Sequence, residues 1–391
     1  MIHQLTPGVQ RQDVFPPPPR TLLTGVPAFL GRAASGPYTP QRLTLWPQFE
    51  ATFGGAISGG ATSGGAADGF LADAVRGFFD NGGTLCHVVR LPESLSHVEA
   101  VQDGLVALDN LDDVDLVCAP DIVAAVPWPV DDDPGRVIVA QRAILRHCRE
   151  RGDRFALLDG IPAVDPTVVV DQCAALTGPD GAYGALYYPW LGVSGGDGRL
   201  RYLPPSGHVA GAYSTADQRV GVHKAPANTV VEGAVDLQVH LAAAEVGTLY
   251  EQRVNCLRAL PGRGVRVWGA RTLGADPAWR DVTARRLVST IGRWIERFMT
   301  GLVHEPNDVR LWVRIMRELT AYLDGLFQRG ALQGRTPAEA FYVKCDHETN
   351  PPAVIEAGVV VTHIGVAPTA PAEFITVRVI HGASGVTVGV A

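Results

Sequence analysis

The chain has 391 residues, of which 46% are hydrophobic and 19% are charged, and its formal net charge is −7. This length allows two or three compact domains, and this composition excludes a disordered chain. The acidic balance argues against nucleic acid as the main partner.

The six cysteines form no C-x-x-C pair, which excludes a zinc knuckle and a dithiol redox motif. Most stand in apolar stretches, so we expect buried free thiols and a reducing compartment. The opening MIHQLTPGVQ lacks the basic and apolar regions of a signal peptide, and no run of 18 apolar residues follows. We therefore expect a protein that stays in a bacterial cytoplasm and does not insert into a membrane.

The first predicted element is an extended arm over residues 1–20. This stretch has no helical period and ends in FPPPPR, a stiff polyproline II segment that joins neither a helix nor a sheet. GVPAFLG (25–31) then predicts a short buried strand. The repeated glycine pairs of residues 54–68 predict a flexible loop.

Strands and helices alternate from residue 70 onward. A helix is expected over 70–83, and the clearest helix covers 140–153. Apolar strands are predicted at 84–91, 114–120, 154–160 and 184–191. Such alternation is typical of an α/β sheet with parallel strands, which we place in one domain over residues 21–255.

A second α/β domain is predicted over residues 256–380. It contains two amphipathic helices, 286–301 and 307–332, the second with Asn307 as its expected N-cap and Gly330 as its stop. Strands follow, and the apolar tail of residues 381–391 is expected to need a pairing partner. That partner is either the sheet of its own domain or a neighbouring chain.

The stretch LPPSGHVAGAYSTADQRVGVHKAPAN (203–228) contains the side chains of a hydrolase. Ser206, His208 and Asp217 have the required types, but no G-x-S-x-G elbow surrounds the serine. The two prolines before it predict an extended entry and a polar loop. His208 and His223 lack the spacing of metal ligands.

Other candidate sites are equally incomplete. The glycine pairs lack the Lys-Ser/Thr of a phosphate loop, and the aspartates near residues 112–115 and 131–133 match no calcium loop. Trp268 has three arginines near it in sequence: Arg263, Arg266 and Arg271. This pattern suits either a stacking platform for nucleic acid or a packed strand and turn whose arginines face acidic neighbours. No site predicts an enzyme, and no cofactor is expected.

Several segments, taken together and in order, resemble one family. They are TPGVQRQDV, PAFLGRAASGP, LTLWPQFEATFGG, FFDNGGTLCHVVR, PPSGHVAGAYSTADQRVGVHKAPAN, PGRGVRVWGARTL, GALQGRTPAEAFYVKCDHETN and IGVAPTAPAEFITVRV. The sequence is similar to the contractile tail sheath proteins of phage tails, R-type tailocins and contractile injection systems.

This resemblance implies a structural subunit that polymerises helically around an inner tube and contracts to drive it through a target envelope. The implied partners are further copies, the tube protein, and baseplate and terminator or cap proteins. Residues 21–255 would face outward, residues 256–380 would face the tube, and the arms 1–20 and 381–391 would add strands to neighbouring sheets. A non-contractile baseplate or cap subunit, or a hydrolase using Ser206, are the alternatives.

The resemblance also implies contact residues. The expected arm contacts between subunits are Val9, Val14, Phe374, Val377, Val379, Val386 and Val388. The expected tube-side or inter-subunit charges are Arg263, Arg266, Arg271 and Lys344.

Overall fold

A computed structural model describes residues 22–54, 69–123, 135–195 and 198–369, and the backbone alone of residues 375–382 and 385–390. Within these ranges the chain forms helices and three β-sheets, which confirms the predicted α/β class. The predicted arm 1–20 and nearly all of the predicted loop 54–68 lie outside the described residues. None of the described helices is long and apolar enough to cross a bilayer.

The first unit holds eleven of the described strands and seven of the described helices. The strands are β1 (Pro27–Gly31), β2 (Gln41–Leu43), β3 (Cys86–Arg90), β4 (Leu116–Cys118), β5 (Phe155–Asp159), β6 (Gly184–Tyr188), β7 (Leu191–Ser194), β8 (Leu200–Leu203), β9 (Ala234–Leu237), β10 (Val254–Leu260) and β11 (Gly264–Val267). The helices are α1 (Trp46–Phe53), α2 (Leu71–Asp80), α3 (His97–Ala107), α4 (Arg136–Arg151), α5 (Pro166–Leu176), α6 (Ser206–Arg219) and α7 (Ala243–Glu251).

Eight of these strands make one sheet in the order β11-β10-β6-β5-β4-β1-β3-β2. The six inner strands are parallel, and the edge strands β2 and β11 run antiparallel to their neighbours. Apolar cores cover both faces: α3, α4, α5 and α7 pack on one, and α1, α2 and α6 on the other. Burial on both faces explains why the inner strands read as continuous apolar runs.

The large sheet extends past the boundary predicted between residues 255 and 256. β10 crosses that point and pairs with β6, and β11 then pairs with β10. Strand pairing therefore groups residues up to the end of β11 with the first unit. A separate three-stranded sheet, β8-β7-β9, lies in the same unit.

The second unit contains α8 (Val282–Thr300), α9 (Val309–Gln328), α10 (Pro337–Ala340), β12 (Phe341–Lys344), α11 (Pro352–Glu356), β13 (Val360–Val366), β14 (Ile375–Gly382) and β15 (Gly385–Val390). The four strands form an antiparallel sheet in the order β12-β13-β14-β15. The apolar sides of α8 and α9 share one buried core with β12 and β13. Both amphipathic helices were predicted from their period.

The caps of α9 differ in one detail from the prediction. Asp308, not Asn307, is the N-cap, because its Oδ1 accepts the N–H groups of Arg310 and Leu311 at 2.9 and 3.0 Å. Asn307 instead accepts the indole N–H of Trp312 at 2.9 Å. Gly330 follows the helix at φ 74°, as expected of a residue that ends a helix in the left-handed region.

Candidate functional site

The first half of the stretch 203–228 is the helix α6, so the expected polar loop is wrong there. Pro205 adopts φ −77° and ψ −15°, and the helix begins at Ser206. Proline fixes only φ, near −65°, and the start of a helix tolerates it because no N–H is needed there. The pair of prolines therefore leads into a helix instead of preventing one.

Ser206, His208 and Asp217 do not converge on one site. Residues two apart on a helix point to different sides. The backbone N–H of Ser206 donates to Asp159 Oδ1 at 2.7 Å, whereas the buried imidazole of His208 lies against Gly77 of α2. Burial lowers the pKa of His208 to about 4. The hydrolase alternative therefore lacks the hydrogen-bonded relay that its chemistry requires. Within the described ranges, no group of three or more His, Cys, Asp or Glu side chains is placed to hold a metal ion.

Glycines in α6 let it pack directly on the backbone of α2. A Cβ on Gly207 would lie 2.3 Å from the carbonyl oxygen of Ala74, and one on Gly211 would lie 2.6 Å from that of Phe78. Both distances are far below van der Waals contact, so this crossing excludes any side chain. Gly207 and Gly211 are therefore packing residues.

Asp217 belongs to a buried ion cluster between the two units. Arg286 of α8 donates to both of its carboxylate oxygens, at 2.9 and 2.6 Å, and to Asp115 Oδ2 at 3.0 Å. Asp115 also accepts the N–H groups of Gly25 at 3.1 Å and Val26 at 2.7 Å. Burial disfavours the charged guanidinium, but the two carboxylates hold the pKa of Arg286 above its ordinary value. The cluster joins α8 to α6 and to the entry of β1 and β4.

Two more arginines of α8 reach the first unit. The Arg285 guanidinium lies 4.5 Å from the ring centre of Tyr183. Arg293 donates to the carbonyl oxygens of Leu23 at 3.3 Å and Asp112 at 3.0 Å. No role between the units was predicted for these arginines. One signal was present: residues 286 and 293 are seven apart and therefore share a face of the helix.

Family models describe most of the chain. The phage tail sheath protein central domain matches residues 105–273, and the phage tail sheath C-terminal domain matches residues 274–380. The chain belongs to the phage tail sheath protein family. The two models of this sheath protein meet just after β11, where strand pairing also ends the first unit. No curated protein shows significant similarity to the sequence.

Solved structures match the sheath chain along nearly its whole length. A chain of the anti-feeding prophage baseplate is 27% identical, with a TM-score of 0.74, and the match covers 95% of this chain and 98% of that one. The contracted helical sheath of the anti-feeding prophage is 26% identical, with a TM-score of 0.72 and the same coverage. The contracted sheath of the extracellular contractile injection system PVC is 25% identical, with a TM-score of 0.71, covering 95% and 97%.

The residues expected in the arms of the sheath chain are only partly within the described ranges. Val9, Val14 and Phe374 lie outside them. Residues 377 and 379 are in β14, where their backbones pair with Ile364 and Thr362 of β13, and residues 386 and 388 are in β15, which pairs with β14 of the same chain. The roles expected for Val377, Val379, Val386 and Val388 between subunits stay predictions.

The four cations expected at tube-side or inter-subunit contacts lie on different parts of the described fold. Arg263 is exposed in the turn between β10 and β11. Arg266 donates to the carbonyl oxygen of Asn228 at 2.6 Å, and Arg271 donates to that of Tyr250 at 3.2 Å. Lys344 pairs with Glu348. Within the described residues, backbone carbonyls accept these hydrogen bonds of Arg266 and Arg271, and the roles expected for the four cations stay predictions.

Proposed function

We propose that this sheath chain polymerises helically around an inner tail tube and that the resulting sleeve contracts to drive the tube through a target envelope. The observation that carries the proposal is the match to a contracted helical sheath over 95% of this chain and 98% of the other. The second contracted sheath gives the same support.

Copies are linked in this proposal by strand addition at the ends of the chain. β12 and β15 are the two edge strands of the four-stranded sheet. An edge strand presents unpaired N–H and C=O groups that a strand from another chain can complete. The arm around Val9 and Val14 would supply that strand, and residues 374–388 would form the receiving sheet. Such a head-to-tail contact does not close on itself, so it propagates as a helix.

Each copy would move as one body during contraction. Arg286 and its two aspartates tie α8 to the first unit through a buried cluster of three hydrogen bonds, and Arg293 adds two further hydrogen bonds. Breaking such a cluster costs far more than breaking exposed pairs. The free energy of contraction would therefore come from contacts between copies, which rearrange while each copy stays intact.

Exposed cations are the candidate charges for those contacts. Arg263 carries this role most directly, because it is exposed, and Arg266 holds its turn by donating to the Arg263 carbonyl oxygen at 3.1 Å. Arg271 and Lys344 are the other two candidates, and Lys344 pairs with Glu348 within the copy. The outward side of α9 adds the exposed residues Arg310, Arg314 and Arg317. Because many weak exposed pairs add up over a helical assembly, a small difference in pairing free energy per copy suffices to drive contraction.

The remaining partners follow from the same proposal. The sleeve would start on baseplate proteins, end on terminator or cap proteins and enclose the tube protein, after assembly in the bacterial cytoplasm. The subunit would work without catalysis, which the divergence of Ser206, His208 and Asp217 supports.

Truncation of each end tests the proposed linkage. Chains lacking residues 1–20 or residues 383–391 are co-expressed with the tube protein, and assembly is examined by negative-stain electron microscopy. We expect folded chains that form no long sleeve. Long contractile sleeves formed without either segment would contradict the linkage. A chain with Leu200→Ser, a change of an exposed residue on β8, is the control that should still assemble.

A further inference from the structure

Residues 23–26, which we call the entry segment, lead directly into β1. The last two of them are fixed to the first unit. The N–H groups of Gly25 and Val26 donate to the carboxylate of Asp115 at 3.1 and 2.7 Å, and the carbonyl oxygen of Val26 accepts the N–H of Asp115 at 3.1 Å. This end of the entry segment therefore extends the pairing between β1 and β4.

The middle of the entry segment lies against α6. Gly25 has φ 70°, and a Cβ there would lie 2.5 Å from the Cα of Ser214. Only glycine fits such a close approach of two backbones, so the chain crosses α6 at one fixed place. The side chain of Thr24 is hydrogen-bonded to Asp217, the carboxylate that Arg286 also binds. The entry segment is thereby joined to the buried ion cluster.

The first residue of the entry segment is fixed to the second unit. Arg293 of α8 donates from one guanidinium nitrogen to the carbonyl oxygen of Leu23 at 3.3 Å and from the other to that of Asp112 at 3.0 Å. The side chain of Arg293 is buried, and hydrogen bonds from a charged donor are stronger than those between neutral groups. Arg293 therefore ties the entry segment to α8 and to the turn that precedes β4.

These contacts place the entry segment alongside α8. Arg286 and Arg293 are seven residues apart, which is about 10.5 Å along a helix. Residues 23 and 26 are three residues apart, which is about 10 Å in an extended chain. The entry segment is therefore long enough to reach from the ion cluster at Arg286 to Arg293. Followed back from β1, it leads towards the C-terminal end of α8, and any force on earlier residues reaches β1 only through it.

We propose that Arg293 positions the entry segment and thereby anchors the N-terminal end of the chain on the second unit as well as on the first. The hydrogen bonds to Asp115 and Asp217 hold the segment from the first unit alone. Both carboxylates also bind Arg286 of α8, so the entry segment and α8 share these acceptors. Correct placement of one therefore favours correct placement of the other, by the same free energy in both directions.

The anchoring has a consequence for the assembled sleeve. If residues 1–20 link neighbouring copies, a pull on them during contraction is carried by α8 as well as by β1. The load is then shared by the two units, which supports movement of each copy as one body. This consequence rests on the proposed sheath function, whereas the anchoring itself does not.

Hydrogen–deuterium exchange of the full-length, unassembled chain tests the anchoring. The variant Arg293→Ala removes both hydrogen bonds to the carbonyl oxygens. The matched control is Arg297→Ala, which changes an exposed arginine about one turn further along α8. Deuterium uptake is followed by mass spectrometry in peptides that span residues 22–31 and in peptides from β5, which report opening of the large sheet as a whole. Thermal melting checks that each variant remains folded.

We expect the amides of the entry segment to exchange at least tenfold faster in Arg293→Ala than in the wild type, with uptake in β5 unchanged, and Arg297→Ala to match the wild type. The milder variant Arg293→Lys keeps the charge but reaches only one carbonyl oxygen. It should raise the rate at least threefold, and it decides the test if alanine at this position prevents folding.

Unchanged uptake over residues 22–31 in a folded variant would overturn the proposal. An increase of the same size in β5 would also overturn it, because the whole sheet would then open instead of the entry segment alone. The measurement needs no sleeve, so either result is independent of whether the chain forms a sheath.

Discussion

Arg286 Nη1 lies 2.9 Å from Asp217 Oδ1, and Arg286 Nη2 lies 2.6 Å from Asp217 Oδ2, so the two side chains form a two-point ion pair between α8 and α6. Both side chains are buried. The planar guanidinium and carboxylate match in this geometry, which fixes the orientation of one unit on the other. The pair therefore restricts motion of the second unit relative to the first within a single copy.

Arg286→Ala should strongly destabilise the chain. The substitution leaves two buried carboxylates without their cation, which costs about 3–5 kcal/mol. Thermal melting and urea unfolding measure the loss. The control is Arg317→Ala, which breaks an exposed pair with Glu318 and should cost less than about 1 kcal/mol. Similar losses in the two variants would show that the cluster does not hold the units together.

Gly207→Ala should destabilise the chain by about 1–3 kcal/mol, because the new methyl group would meet the backbone of Ala74 at 2.3 Å. Gly247→Ala is the matched control. Gly247 lies within α7 with nothing within 4 Å of the added Cβ, so alanine there should stabilise by up to about 1 kcal/mol. Unfolding curves of both variants measure these two changes in stability. A neutral Gly207→Ala would mean that α2 and α6 separate at little cost.

Asp159→Asn should make stability less dependent on pH. Burial raises the pKa of Asp159 from 3.8 to about 7, and burial raises the pKa of Asp121 to about 6. Between pH 4 and 7 the folded chain holds protons that the unfolded chain has lost. Stability therefore falls as pH rises through this window, by at most about 1.4 kcal/mol per pH unit for each group. Asparagine keeps an acceptor for the N–H of Ser206 but has no proton to lose.

Melting temperatures at pH 5, 6 and 7 measure that slope. The control is Asp165→Asn, an exposed N-cap whose pKa is lowered by hydrogen bonds from Thr167 and which titrates below the window. Parallel curves for the wild type and Asp159→Asn would show that Asp159 is already ionised in the folded chain.

Ser206→Ala should leave stability and assembly unchanged. The contact between Ser206 and Asp159 that fixes the start of α6 uses the backbone N–H, which alanine retains. Melting curves and electron micrographs of the variant are compared with those of the wild type. A hydrolytic activity of the purified protein that disappears in this variant would favour the enzyme alternative.

Some elements are predictable because their sequences have one clear period. The apolar runs of β4, β5 and β6 predict the α/β class, and the apolar faces of α8 and α9 predict the two long helices. By contrast, α6 is not predictable in this way, because all nine residues from Ser206 to Ser214 are buried and the helix has no exposed polar side there to create a period. Its contacts depend on an absence of side chains that only the position of α2 explains.

The junction between the units was not predictable from local pattern. Asp115, Asp217 and Arg286 are far apart in sequence, and charged residues are usually solvated. The packing of α6 on the sheet brings Asp217 near Asp115, and Arg286 of α8 then supplies the cation. Asn228 and Arg266 illustrate the same limit, because the arginine donates to a loop carbonyl that lies 38 residues away in sequence.

Electron microscopy of the purified full-length chain, co-expressed with its tube protein, tests the proposed sheath function most directly. We predict hollow, striated sleeves wider than the bare tube, in a long and a contracted form. Particles that never form sleeves around the tube, or that form sleeves of only one length under all conditions, would contradict that function.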